Sequence, residues 1–328
     1  MTGLLAVTCF TCMLLPSVLV APLAAQPSPA PEGFLTADDG VRLYYRVEGD
    51  GPQTVIVPAA LYLHRDLRAL ANGRRVVFYD MRGRGRSDRV EDTTHITIQW
   101  DVRDLESVRR HVGVERFVPI GWSYHGLMVM MYAVEHPARV ERVVQIGPVP
   151  RRWDTRFAPE LTADDPAPVP DSAAQAELTR LRSSELAERD PRAHCQREWE
   201  ITRVRLVGDP RLADRVSNVC EMPNEWPKAF RRHLRHHFVG SVQPLDVPWG
   251  TFQRVTAPVL TIHGTRDRNA PYGGGREWAS QLPNARLVTV PGAAHMPWID
   301  QPRLVLGAVE TFLQGEWPGG AERVSREE

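Results

Sequence analysis

Phe117-Val118-Pro119-Ile120-Gly121-Trp122-Ser123-Tyr124-His125-Gly126 is the stretch on which the reading of the fold turns. Residues 117–120 read as a short buried strand, and residues 126–136 follow with helical patterning. A serine caught between a strand and a helix sits on a tight turn at the carboxyl edge of a sheet. Its hydroxyl is exposed there, and the helix N-terminus offers N–H groups to a developing oxyanion. A second Gly-x-Ser, Gly85-Arg86-Ser87, follows Asp80-Met81-Arg82-Gly83-Arg84 in an irregular loop and lacks that setting. The turn marks Ser123 as the candidate nucleophile.

The flanking sequence has the rhythm such a turn requires. Short apolar runs at 41–47, 54–57, 75–79, 142–146, 259–263 and 286–290 alternate with helical patterns at 98–111, 276–281 and 304–313. Apolar strands separated by helices predict an α/β fold whose mostly parallel sheet is covered by helices on both faces. Residues 151–248 break the rhythm. They hold helical segments at 172–189, 194–207 and 226–237 without a central strand, too long for a simple connection, and read as an inserted helical lid. The expected organisation is a core at 34–150 and 249–316, the lid at 151–248, and a polar tail at 317–328.

A serine hydroxyl needs a base, and the base needs an orienting acid. His295 lies in Gly292-Ala293-Ala294-His295, a small-residue loop just past the last strand. Asp267 comes four residues after the strand that ends at His263; after the preceding strand, Gly147-Pro148 leave no acid. The order Ser123, Asp267, His295 suits this type of sheet. His64, His125 and His263 read as packing groups, and the Arg-Gly-Arg-Gly-Arg loop as a structural turn. His233, His236 and His237 lack a carboxylate or cysteine to complete a metal set and read as a solvated helix face.

Taken together, Asp80-x-Arg82-Gly83-x-Gly85-x-Ser87, Gly121-Trp122-Ser123, Gly264-x-x-Asp267 and Gly292-Ala293-Ala294-His295 resemble the α/β-hydrolases, and most closely their prolyl-iminopeptidase-type branch. The resemblance runs from about Phe34 to Leu313 and implies hydrolysis through an acyl-enzyme on Ser123, His295 and Asp267. Tyr124 N–H becomes the expected oxyanion donor, with Ala60 as the second, and Trp122 a substrate contact. This chain departs from the family in having His125 where a glycine usually stands and Pro58-Ala59-Ala60 where His-Gly usually follows the third strand. In the lid, Arg197-Glu198-Trp199-Glu200 is similar to an element whose glutamates hold a substrate α-amine. Trp199 and Glu200 are therefore expected substrate contacts, with Glu221 and Glu225 as looser candidates. The resemblance implies release of N-terminal, proline-type residues from short peptides. A carboxylesterase or lactonase acting on small esters, and a binding protein that has lost turnover, are the alternatives. A dehalogenase or epoxide hydrolase would need an aspartate where Ser123 stands.

Composition excludes other classes. Of 328 residues 42% are hydrophobic, enough for a substantial core, and 40 basic residues cancel 40 acidic ones. Nothing points to a nucleic-acid partner, and no metal or cofactor is expected; the partner is a small molecule or short peptide. Residues 1–31 carry no charged side chain, and an apolar run at 4–20 is followed by small residues. That pattern predicts a signal peptide at 1–25, a Pro-rich spacer at 26–33, a secreted or periplasmic product, and no stable membrane insertion once the signal is cut. An uncleaved anchor is the competing reading. Cys9 and Cys12 would leave with the signal, and Cys195 and Cys220 are expected to form a disulfide in an oxidising compartment.

Overall fold

The computed structural model describes residues 31–157 and 169–325. The expected signal peptide and most of the spacer lie outside them. Eight strands form one sheet in the order β1-β2-β4-β3-β5-β6-β7-β8. They are β1 (Glu32–Thr36), β2 (Arg42–Glu48), β3 (Thr54–Pro58), β4 (Arg75–Tyr79), β5 (Val118–Trp122), β6 (Val143–Ile146), β7 (Val259–Gly264) and β8 (Ala285–Val290). β2 pairs antiparallel with both β1 and β4, and every other pairing is parallel.

Successive residues of a strand point to opposite faces, so an apolar run without alternation must be covered twice. In β4, Val77 and Tyr79 join one core cluster, with Val102 and Leu105 of α2 (Ile98–His111) and Met128 of α3 (Tyr124–Glu135). Val76 and Phe78 join the other, with Leu63 and Leu67 of α1 (Ala60–Leu67) and Val309 and Phe312 further on. The sheet is thus a wall between two apolar layers, as expected.

Two domain boundaries move. Residues 32–33 were expected in the spacer, yet Glu32 and Gly33 pair with Arg46 and Tyr45 as the start of β1. The expected polar tail docks through residue 322: Trp317 packs on Phe312 with ring centroids 5.0 Å apart, Arg286 lies over its ring, and Glu322 bridges Leu287.

Between β6 and β7 the chain makes its helical excursion: α4 (Ser172–Ser183), α5 (Leu186–Arg189), α6 (Pro191–Thr202), α7 (Pro227–Leu234) and α8 (Trp249–Phe252). Asp171 and Asp190 cap α4 and α6 by accepting from Ala174 N and Ala193 N, and Pro191 suits the first helical position. The single helix expected at 172–189 breaks at Ser184. There Oγ donates to Leu181 O and accepts from Leu186 N, satisfying backbone that a continuous helix would have used. The base of the excursion is clasped: Arg151 Nη1 bonds Asp246 and the Val247 carbonyl, and Arg152 forms a β-bridge with Asp246. Cys195 of α6 is bonded to Cys220, Cα to Cα 5.6 Å. After β7 come α9 (Tyr272–Gln281), α10 (Pro297–Asp300) and α11 (Pro302–Leu313).

The loop after β4 is structural. Arg82 is wholly buried, its guanidinium bonded to Asp104 at 2.6 and 2.7 Å and to Asp39 at 2.9 Å. Ser87 is also buried, accepting from Tyr44 N and donating to Asp80 O. The second Gly-x-Ser therefore serves packing.

Candidate active site

Ser123 stands between the end of β5 and the start of α3 with φ 58° and ψ −129°. A non-glycine residue there stores about 1–3 kcal/mol of strain, tolerated only where the surroundings over-determine it. Three hydrogen bonds do so: Ser123 N to Ile146 O, and Gly126 N and Val149 N to Ser123 O. Crowding explains the glycines on either side. A Cβ on Gly121 would lie 2.3 Å from His125 O, and one on Gly126 would lie 2.8 Å from Pro148 Cβ. The small residue is thus needed at 126, which leaves 125 able to carry an imidazole.

The three residues expected to act together do meet. His295 Nε2 is 2.9 Å from Ser123 Oγ, and Nδ1 is 2.7 Å from Asp267 Oδ2. Asp267 Oδ1 accepts from Asn269 N and Ala270 N, and His263 Nε2 approaches Oδ2 at 3.3 Å. Burial alone would raise the Asp267 pKa, but the charge and hydrogen bonds of His295 and His263 hold it well below the usual carboxylate range. An ionised carboxylate at Nδ1 fixes the tautomer that leaves Nε2 free to accept the serine proton. Asp300, unremarked in the sequence, positions the histidine loop: its carboxylate accepts from Ala294 N and, across to the insertion, from Gly208 N.

A cavity of about 560 Å³ opens over Ser123. The insertion contributes Trp199, Arg205, Phe230, His237 and Phe238 to its wall, and the core contributes Tyr62, Trp122, Tyr124 and His125. Trp122 lines it, and its indole also donates to the His295 carbonyl. Tyr124 opens α3, so its N–H belongs to the first turn, whose donors have no acceptor within the helix. Ala60 does not reach this wall. β3 runs through Pro58 and α1 starts at Ala60 after one left-handed residue, Ala59, so Ala60 lines the neighbouring cavity with Leu61 and Asp80.

Two expectations about the insertion fail. Trp199 faces the cavity, but Glu200, one position round the helix, is half-exposed and paired with Arg197 at 2.8 Å. Glu221 is exposed and held by Arg192, while Glu225 is buried with both oxygens engaged by Arg84 and Gly85 N. The histidine group is no solvated face either. A π-helical stretch, Arg235–Val242, follows α7, and His233 and His237 are buried with parallel rings 4.9 Å apart. His237 Nε2 lies 2.5 Å from Asp101 Oδ2 and 3.0 Å from the Tyr124 hydroxyl, which also bonds Asp101. Burial pushes His125 down to about 4 and His233 well below the usual imidazole value, so both stay neutral near pH 7. The helical spacing that put 233 and 237 on one face was visible in the sequence. Which way that face turned was not.

Residues 60–302 match the family model described as the alpha/beta hydrolase fold. A proline iminopeptidase of Xylella fastidiosa is 28% identical over 298 residues, covering 82% of this chain and 91% of that one. A bifunctional esterase/perhydrolase of Acinetobacter calcoaceticus is 25% identical over 278 residues, 80% and 92% of the two chains. Among solved structures, an esterase from a Rhodococcus species superposes with a TM-score of 0.63 at 20% identity, covering 87% of this chain and 99% of the other.

Proposed function

Because the chain belongs to the α/β-hydrolase family and is a hydrolase of its serine type, we propose that it cleaves small carboxylic esters through an acyl-enzyme on Ser123. His295 takes the Ser123 proton as Oγ attacks the carbonyl carbon. The oxyanion that forms is met by Tyr124 N–H at the head of α3; one such donor contributes about 3–4 kcal/mol. Asp267 stabilises the imidazolium. His295 then gives its proton to the leaving oxygen, and a water activated by the same imidazole attacks the acyl carbon and frees the acid. The insertion serves as a lid that shapes the acyl site.

One observation carries the choice of ester over peptide. Among the described residues no exposed carboxylate faces the cavity to hold an α-ammonium: Asp101 is buried with Oδ2 bonded to His237 and Tyr124, and Glu225 is held by Arg84. Release of N-terminal residues is the second reading, favoured by Trp199 on the cavity wall and by the Xylella fastidiosa relative. A parallel assay of p-nitrophenyl butyrate, a prolyl arylamide and its N-acetylated form separates them. Turnover confined to the free prolyl arylamide overturns the ester reading, and absence of labelling of Ser123 by a fluorophosphonate supports a binding protein instead.

Export is part of the proposal. The apolar run at 4–20 and the Cys195–Cys220 bond support it, since structural disulfides are rare outside oxidising compartments. N-terminal sequencing of the protein recovered from its host tests it, with Gln26 as the expected first residue.

A further inference from the structure

Resting on Ser123 as the nucleophile of this cavity, we infer that the cavity selects substrates bearing a carboxylate, read by Arg205 and Arg268 at its rim. Three guanidinium groups line the cavity, Arg84, Arg205 and Arg268, against one carboxylate, Asp101. Asp101 is already bonded to His237 and Tyr124, and Arg84 is answered by Glu225 at 2.6 Å. Arg205 and Arg268 are exposed at the rim, and neither has a carboxylate partner among the described residues. They are close enough to feel each other. Desolvation lowers the Arg205 pKa first, and the like charges of Arg182 and Arg268 add to it. Arg182 is held by Glu198 at 2.6 Å. The other pair is left as two neighbouring cations facing one opening.

That arrangement repels an ammonium and attracts a carboxylate, whose two oxygens suit the forked donors of arginine. The neutral His125 and His233 add no opposing charge. Arg268 sits on the segment that carries Asp267, and Arg205 on a segment bonded to the histidine loop. Arg268 directly follows Asp267, and Arg205 precedes Leu206, whose carbonyl accepts from Met296 N, the residue after His295. A carboxylate held there lies in the same cavity that Ser123 lines. Trp153, Phe230, Leu234 and Phe238 line the rest of the cavity, so the chain between ester and carboxylate is apolar.

The test compares p-nitrophenyl valerate with mono-p-nitrophenyl glutarate, acyl groups of the same length that differ in a terminal carboxylate. The glutarate ester is expected to have the higher kcat/KM at low salt, with the advantage shrinking as ionic strength rises. Arg205→Gln and Arg268→Gln should each raise KM for the glutarate ester about three- to tenfold, more than for valerate. Arg303→Gln, on the exposed face of α11, should not alter the ratio between them. Equal kcat/KM for the two esters, or equal losses on both in the arginine variants, overturns the inference. If neither ester is turned over, the hydrolase reading fails and the anion reading is judged by quenching of tryptophan fluorescence. Tighter binding of glutarate than of glutaramide upholds it, and equal binding ends it.

Discussion

The indole Nε1 of Trp122 donates to the main-chain carbonyl of His295 at 2.7 Å, so the residue before the candidate nucleophile holds the loop that carries the candidate base. The bond is buried and ties the end of β5 to the loop after β8. Trp122→Phe keeps an aromatic ring against Tyr62 and Trp298 but removes the donor. Its loss leaves a buried carbonyl unsatisfied, costing about 1–3 kcal/mol, and lets the imidazole wander. The expected result is a fall in kcat of about tenfold with KM nearly unchanged, and slower fluorophosphonate labelling. A change in KM alone would mean the indole only lines the cavity.

Ser123→Ala and His295→Ala should each lower kcat by about 10⁴–10⁶, leaving what binding and the oxyanion donor supply. Asp267→Asn should lose somewhat less. Ser87→Ala should instead cost stability, because it removes the acceptor of Tyr44 N. Activity of each purified variant on one ester, beside its urea midpoint, separates the two serines. Inactivation by Ser87→Ala with a healthy Ser123→Ala would end the assignment.

The Cys195–Cys220 bond closes a loop of 25 residues in sequence separation within the insertion. On the chain-entropy model that cross-link stabilises by roughly 3 kcal/mol. Reductant should therefore lower the urea midpoint of the wild type and leave Cys195→Ser/Cys220→Ser unchanged. Because Trp199 and Tyr62 pack against the cluster that contains both cysteines, KM should rise with reduction as well.

Acid should expose the neutral histidines. His125 titrates near 4 in the folded protein, against about 6.5 unfolded, because burial disfavours its cation. Between those values the unfolded chain binds the extra proton, so stability falls as pH drops through the window, by up to about 1.4 kcal/mol per pH unit for one proton. Asp80, raised to about 6 by burial, runs with the opposite sign. The readout is accordingly the difference between wild type and His125→Gln. The variant should lose less stability than wild type between pH 6.5 and 4.5, and equal losses would mean that its surroundings do not hold the His125 imidazole neutral.

Strand ends were legible because each candidate group follows an apolar run: Ser123 after β5, Asp267 after β7, His295 after β8. What the sequence hid was rotation. Trp199 and Glu200 are adjacent letters, and only the packing of α6 shows that the indole goes in while the carboxylate stays with Arg197. His233 and His237 share a face by helical spacing, yet the wider π turn and the contact with Asp101 decide that the face looks inward. β1 was missed because it is an edge strand in which only Leu35 is buried, so it carries little apolar signal. Arg205 and Arg268 were indistinguishable from the other 37 arginines, since a rim position depends on contacts far apart in sequence.

The clasp between Arg151 and Asp246 gives the insertion a neck. The excursion leaves after β6 and returns before β7, and those two strands are hydrogen-bonded neighbours. The sheet thus meets the insertion at one narrow junction, and β5, β7 and β8 carry the reacting groups, while the backbone of Leu206 and Gly208 reaches back to Met296 and Asp300 beside His295. A cassette exchanged at this junction has to keep those backbone contacts with the histidine loop. Grafting one from another member of the fold at this junction would reset which molecules enter while the machinery that breaks the bond stays in place.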